Sequence, residues 1–142
     1  MFARQQAITH PDQPAIIMAS SGETVTFGEF EARSNRVAHL LRDAGLRRGD
    51  HIAVFMENSP RLLEIEGAAE RTGLYYTLIN TYLAPDEVAY IVTNSRARML
   101  FSSPARQPVA VAAAARCPQL ERMIMSGPAE LNSARARELA TM

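Results

Sequence analysis

Short apolar runs alternate with amphipathic helical patterns along most of the chain. The runs that predict strands are residues 51–56, 74–79, 99–101 and 123–125. Two parallel strands need a crossover connection, which is usually a helix, and a helical pattern fills each interval between these runs. The order therefore predicts an α/β fold with a mostly parallel, doubly wound sheet and helices on both faces.

Two extended segments precede the first helical pattern. They are residues 15–19 and 23–26, and a Ser-Ser-Gly turn separates them, so we expect an N-terminal β-hairpin. The stretch 20–24 has the hydroxyl and glycine content of a phosphate-binding loop, but it has no second glycine and no basic residue. It also leads into a strand instead of a helix N-terminus, which favours a plain hairpin turn.

Capping signals predict where the helices begin. Thr26 and Glu29 have the spacing of a capping box, and Ser59 followed by Pro60 predicts a serine cap with proline at the first helical position. Pro85 opens a third helix, with two acidic residues in its first turn. A glycine after each of the first two helical patterns predicts its end.

The basic side chains exclude several kinds of chemistry. All 15 are arginine, so the chain has no lysine for a Schiff base or for a Walker-type phosphate loop. The arginines are scattered among 15 acidic residues, and the formal net charge is zero. This distribution argues against nucleic acid as a partner.

Neither a metal site nor a disulfide is predicted. Cys117 is the only cysteine, which excludes an internal disulfide and a Cys-x-x-Cys pair. His10, His39 and His51 are far apart in the sequence and do not have metal-ligand spacing. We therefore expect no bound metal and no redox pair.

Length and hydropathy bound the domain organisation. A chain of 142 residues is about one domain. The longest apolar run, 109–115, is far shorter than the ~20 residues that cross a bilayer, and the N-terminus has no signal-peptide pattern. We expect no transmembrane segment, a cytoplasmic location, an α/β subdomain at residues 1–126 and a truncated helical tail at residues 127–142.

Open α/β sheets bind ligands at the carboxyl ends of their strands. Here those positions are Glu57-Asn58, Asn80-Thr81, Ser102-Ser103 and Ser126-Gly127. They contain neither an aspartate cluster with a lysine nor a Gly-x-Gly-x-x-Gly turn. We therefore predict no catalytic residue and no dinucleotide site.

Three acidic residues, Glu64, Glu66 and Glu70, lie on the second helical pattern. Glu66 and Glu70 are one turn apart, which is also the spacing of a metal-binding or acid–base pair. A solvated helix face explains such a group better, so we expect these carboxylates to face water.

Six strings, by their order and spacing, resemble the N-terminal part of the AMP-forming acyl-CoA synthetases, an adenylate-forming, AMP-binding enzyme family. They are HPDQPAII (10–17), TVTFGEF (24–30) followed by SNRVA (34–38), LRRGDHIA (46–53), ENSP (57–60), GLYYTLIN (73–80) and DEVAYIV (86–92). The resemblance covers roughly residues 9–125. It implies that residues 1–126 are the N-terminal subdomain of an AMP-binding domain.

The resemblance implies a two-step ligase as the parent protein. A carboxylic acid, by resemblance a fatty acid, attacks the α-phosphate of ATP with Mg²⁺, and CoA then displaces AMP. The family's phosphate loop, adenine motif, ribose-binding aspartate and catalytic lysine have no counterpart here. Because adenylation needs cations against the triphosphate, we expect this chain alone to be inactive and to bind none of ATP, Mg²⁺ and CoA tightly.

The family's N-terminal layer helps to wall the acyl pocket and the pantetheine tunnel. The resemblance therefore nominates Tyr76, Asn80 and Tyr82, near one strand end, as tunnel-lining residues. Relatives often have an arginine in the loop after Asn80, where this chain has Tyr82, and this departure argues against a charge-based contact with CoA. The alternative for Asn80 is that it caps or turns the chain.

Two interpretations of the whole chain stay open. In the first, it is the N-terminal fragment of an acyl-CoA synthetase and meets the acid and CoA only through the missing remainder. In the second, it is a free-standing, non-catalytic α/β module for binding or assembly. A sheet with uncovered apolar helix faces favours the first, and such faces would also permit non-specific self-association.

Overall fold

The computed structural model of the protein describes residues 3–126, which form two compact units. The first, the helical unit, contains α1 (Ala3–Thr9), β1 (Pro14–Ile17), β2 (Thr24–Thr26), α2 (Phe27–Asp43) and α3 (Pro60–Thr72). The second, the sheet unit, contains β3 (His51–Phe55), β4 (Tyr75–Leu78), α4 (Pro85–Asn94), β5 (Met99–Ser102), a 3-10 turn (Pro104–Arg106), α5 (Gln107–Ala114) and β6 (Arg122–Met125).

The hairpin and the start of α2 follow the sequence signals. β1 and β2 pair antiparallel, as predicted. The Thr26 hydroxyl accepts a hydrogen bond from the Glu29 backbone N–H at 3.2 Å, and the Glu29 carboxylate accepts one from the Thr26 N–H at 2.9 Å. The predicted capping box is therefore confirmed. α1 has no sequence signal of comparable strength, because this seven-residue helix buries only Ala3.

α2 and α3 approach each other closely where Ser34 faces Gly67. The buried stripe of α2 consists of Phe30, Ser34, Val37 and Leu41. A Cβ atom at Gly67 would lie 3.0 Å from Ser34 Oγ and 3.3 Å from the Phe30 ring. The glycine therefore sets the spacing of the two helices.

Glu64 corrects one of the sequence predictions. The sequence predicts a solvated face for it, but its side chain is 1% exposed. Arg61 donates a hydrogen bond to it at 2.7 Å, and Arg33 of α2 lies 3.5 Å away. A buried charge is tolerated when it is paired, and helical spacing does not show that an arginine of another helix reaches the same place. Glu70, in contrast, is exposed, and Glu66 is half-buried.

The four strands of the sheet unit are parallel, in the order β4-β3-β5-β6. Val54 of β3 pairs with Leu78 of β4 and with Phe101 of β5. All four residues of β5 are buried, as expected for an apolar run in the middle of a parallel sheet. The predicted α/β class with a parallel sheet is confirmed.

α4 and α5 share an apolar core with the sheet. Ala53 and Phe55 of β3 lie on the same face of the strand, because they are two residues apart, and Leu100 of β5 joins them in this core. The buried helical residues of the core are Val88, Ala89, Val92, Ala110 and Ala113. This packing supports the central strands and hence the positions of their ends.

Arg98 links the residues that precede three strands of the sheet. It precedes β5 and donates hydrogen bonds at 2.7 Å to Asp50, which precedes β3, and to Glu121, which precedes β6. The hydrogen bond to Glu121, with the charges of both acids, raises the pKa of Arg98. A fixed cation therefore sets the amino-terminal edge of the sheet.

The tail predicted at residues 127–142 lies outside the described residues. The assignment of residues 1–126 to one subdomain stays a prediction. Within residues 3–126, no helix is both long enough and apolar enough to span a membrane.

Candidate functional site

The residues that follow β3, β4 and β5 meet at one edge of the sheet. Because these strands are parallel neighbours, their carboxyl ends point the same way. Glu57 follows β3, Asn80 and Thr81 follow β4, and Ser103 follows β5. These four residues and Arg106 of the 3-10 turn form the carboxyl-edge cluster, at the position where open α/β sheets bind ligands.

Glu57 is held by two side chains of this cluster. The Ser103 hydroxyl donates to Glu57 Oε2 at 2.6 Å, and Arg106 Nε donates to Oε1 at 2.7 Å. Partial burial by itself would raise the pKa of Glu57, but the hydrogen bonds from Ser103, the backbone and Arg106, with the charge of Arg106, outweigh burial and lower this pKa. At neutral pH, Glu57 is therefore an ionised acceptor.

Arg106 connects the ends of three strands. Besides its bond to Glu57, its guanidinium donates to the backbone oxygen of Thr81 at 3.3 Å. Arg106 itself lies just after β5. The loop after β4 is thus tied to the ends of β3 and β5 by one cation.

Ser102, the last residue of β5, supports this edge from within the sheet. Its side chain is fully buried, and its hydroxyl donates to the backbone oxygen of Phe55 at 2.8 Å. The bond satisfies a hydroxyl that would otherwise be unpaired in an apolar surrounding. Ser102 therefore has a structural role.

The three residues nominated from the resemblance occupy different places. Asn80 Oδ1 accepts the backbone N–H of Tyr82 at 3.0 Å, so Asn80 does turn the chain. The Tyr82 side chain is 90% exposed at the same edge. Tyr76 is the second residue of β4, is half-buried, and pairs in register with Ile52. The structure thus brings Asn80 and Tyr82 together, whereas Tyr76 lies further back along the strand.

Sequence reasoning identifies Glu57 and Ser103 as strand-end residues but gives Arg106 no role. Arg106 and Glu57 are 49 positions apart, and no local pattern indicates that they meet. The only available signal is the parallel topology, because it places the segment after β5 next to the end of β3.

The cluster has the chemistry of a binding edge. The Ser103 hydroxyl donates to the Glu57 carboxylate, but this carboxylate is paired with a guanidinium and its pKa is lowered, so it is a weak base for activating the hydroxyl. Among residues 3–126, no three histidine, cysteine, aspartate or glutamate side chains are placed to hold a metal ion. The exposed Tyr82 ring and the polar loop around it are suited to contacts with a ligand.

Comparisons with known sequences point to one family. A family model described as "AMP-binding enzyme" matches residues 3–140. The 3-hydroxybenzoate–CoA ligase of Aromatoleum sp. (strain CIB) is 36% identical over 90 residues, which are 63% of this chain and 17% of the relative. The long-chain-fatty-acid–CoA ligase FadD13 of Mycobacterium tuberculosis is 30% identical over 106 residues, which are 75% of this chain and 21% of the relative.

Solved ligase structures share the fold. The inhibitor-bound N-terminal domain of FACL13 from Mycobacterium tuberculosis matches with a TM-score of 0.83 at 28% identity, over 99% of this chain and 35% of that chain. The anthranilate CoA ligase AuaEII, in complex with anthranoyl-AMP, matches with a TM-score of 0.81 at 22% identity, over 87% of this chain and 23% of that chain. The second likeness shows the fold alone.

The chain spans about a fifth of the length of these curated relatives, at 17% and 21%. The family match nevertheless includes almost every residue of the chain, from 3 to 140 of 142. The likeness to the FACL13 domain has a similar extent within this chain. The chain therefore belongs to the AMP-binding enzyme family.

Proposed function

We propose that this chain is the N-terminal part of an ATP-dependent acid–CoA ligase. The complete enzyme activates a carboxylic acid as acyl-AMP and transfers the acyl group to CoA. The match of residues 3–140 to the AMP-binding enzyme family carries the proposal, and two relatives at 30% identity or more are named as CoA ligases. A cytoplasmic location belongs to the same proposal.

A fatty acid is the proposed substrate. FadD13, named as a long-chain-fatty-acid–CoA ligase, aligns over 75% of this chain, compared with 63% for the 3-hydroxybenzoate ligase. A solved structure described as a Mycobacterium tuberculosis fatty acyl CoA synthetase also matches over 99% of the chain, at 28% identity. Aromatic acids are the competing substrate class.

ATP, Mg²⁺ and CoA are the proposed cofactors and co-substrates of the complete enzyme. The described residues do not fit ATP with Mg²⁺, because the cation of the carboxyl-edge cluster, Arg106, is already paired with Glu57. The chain has no lysine, and residues 3–126 contain no cluster of three histidine, cysteine, aspartate or glutamate side chains that could hold a metal ion. The proposed contribution of this chain is therefore a wall of the binding site, with no catalytic step of its own.

Asn80 and Tyr82, with Tyr76 as a third member, are the proposed part of that wall. The turn at Asn80 fixes the backbone of Tyr82, and Arg106 holds the neighbouring Thr81. Tyr82 is thus an exposed aromatic side chain on a braced loop, which is suited to packing against an alkyl or pantetheine chain. None of the three is charged, so the contact does not depend on an ion pair.

ATP–pyrophosphate exchange tests the proposal. The isolated chain should show no exchange with a fatty acid. A chimera in which this chain replaces the matching N-terminal segment of FadD13 should show exchange and form acyl-CoA, with fatty acids favoured over benzoates. Exchange by the isolated chain would contradict its inactivity. A chimera that melts cooperatively but has no activity would favour the free-standing binding or assembly module.

The same chimera tests the wall residues. Tyr82→Ala should raise KM for CoA or for the acid by about three- to tenfold with kcat nearly unchanged, because a wall contact acts on bound substrate and transition state alike. Tyr90→Ala is the matched control, since Tyr90 is also an exposed tyrosine but lies on α4. Equal effects of the two substitutions would contradict the assignment.

A further inference from the structure

A pocket of about 700 Å³ lies in the helical unit. The polar and charged side chains that line it come from three helices: Arg4 of α1, Glu31, Asn35 and His39 of α2, and Glu70 and Arg71 of α3. The three α2 residues follow one another at four-residue spacing and so form one stripe of that helix. Among residues 3–126, no large apolar side chain lines the pocket.

Arg71 is held in one orientation. Its Nε donates to the backbone oxygen of Gly67 at 3.0 Å, and its terminal nitrogens donate to Asn35 Oδ1 at 2.6 Å and to Glu31 Oε2 at 3.0 Å. A guanidinium has five N–H groups, so these bonds fix the group and still leave donors available.

The acceptors of the pocket are engaged, whereas several donors are not. Glu31 accepts from Arg71 and from a neighbouring amide, and Glu70 takes part in a further interaction. Within the part of the chain that the structure describes, neither Arg4 nor His39 makes a hydrogen bond or an ion pair. The pocket therefore presents unpaired donors from α1, α2 and α3.

We propose that this pocket binds a small, water-soluble oxyanion, namely a metabolite with a phosphate or carboxylate group. Its oxygens match the open N–H groups of Arg4, Arg71 and His39, and guanidinium groups recognise such oxygens through paired hydrogen bonds. The formal charges of the two arginines and the two glutamates cancel, so net charge does not attract the anion. The arrangement of the open N–H donors recognises it instead. The proposal is independent of the ligase activity.

NMR titration of the 142-residue chain tests the proposal. Inorganic phosphate and, separately, citrate are added at constant ionic strength, and the side-chain signals of Arg71 and His39 are followed. Both signals should shift and saturate for at least one probe. Arg4→Gln and His39→Gln should each weaken binding about tenfold, the loss expected for one charge-assisted hydrogen bond.

Arg36→Gln is the matched control, because it removes the same charge from an exposed position of α2 that does not line the pocket. It should leave the affinity unchanged. Thermal unfolding of each variant checks that the fold is intact. Shifts that never saturate with either probe, or equal weakening by Arg36→Gln and Arg4→Gln, would overturn the proposal and indicate non-specific ion binding.

Discussion

Glu57 and Arg106 determine how the loop after β4 meets the rest of the sheet. The Glu57 side chain is 41% exposed, and a pair of this exposure typically contributes under about 1 kcal/mol to stability. The main effect of the pair is therefore to position the loop after β4, since Arg106 also donates a hydrogen bond to the backbone oxygen of Thr81. Ser103 completes the arrangement from the end of β5.

Arg106→Gln should raise the pKa of Glu57, because burial, which raises it, stays while the guanidinium is lost. In the wild-type chain the lowered pKa stabilises the fold above the unfolded-state pKa, and this contribution is lost as pH falls through the folded-state pKa. The variant should therefore lose less stability in acid.

NMR titration of the Glu57 carboxyl and urea unfolding across acidic pH measure both effects. Arg116→Gln, which breaks the exposed pair with Asp86, is the control. An unchanged Glu57 pKa in Arg106→Gln would contradict this account.

At the level of elements, the α2–α3 contact depends on two small residues. Ser34 Oγ is buried and, among the described residues, has no hydrogen-bond partner, which is unfavourable for a hydroxyl. A small side chain is nevertheless required, because α3 presents Gly67 at this point. The close approach of the helices explains both residues.

Gly67→Ala should destabilise the chain by up to about 2 kcal/mol, because overpacking against Ser34 Oγ, which costs about 1–3 kcal/mol, exceeds the gain of about 1 kcal/mol in helix propensity. Ser34→Ala removes the unpaired hydroxyl and should be neutral or stabilising. The double variant should recover part of the loss, since the two positions are in contact. Urea unfolding of the three variants measures these changes. Strictly additive effects would show that Ser34 Oγ is not the source of the clash.

At the level of the whole molecule, burial differs between the strands of the parallel sheet. β5 is buried along its whole length, and four of the five residues of β3 are buried. β4, at the end of the strand order, has the exposed side chains Tyr75 and Leu78. Amides at the centre of a buried sheet open only in large unfolding events.

Hydrogen exchange of the backbone amides should therefore be slowest in β3 and β5 and faster in β4. The measurement is native-state exchange of the 142-residue chain, followed residue by residue by NMR. The backbone amides of Val88 and Val92 in α4, whose side chains lie in the core, serve as an internal reference for slow exchange. Slower exchange in β4 than in β5 would contradict the claim that the position of a strand in the sheet determines how well its amides are protected.

Much of the fold was predictable, because its signals act over a few residues. The capping box of Thr26 and Glu29 spans three positions, and the apolar run at 51–56 is contiguous. The parallel sheet follows because each crossover helix forces its two strands to run in the same direction. The carboxyl edge could also be located, since parallel strands end on one side.

The sequence by itself thus determined the elements, the parallel α/β class and the edge at which polar residues collect. Only the tertiary structure decided that Glu64 is buried with Arg33 and Arg61, and that Arg106 pairs with Glu57. These pairs join residues on different turns or elements, in one case 49 positions apart. The periodicity of a sequence indicates which face of an element is apolar. A charged side chain can nevertheless be buried where packing brings an opposite charge next to it. That packing involves other elements, so the residue spacing within one element does not predict it.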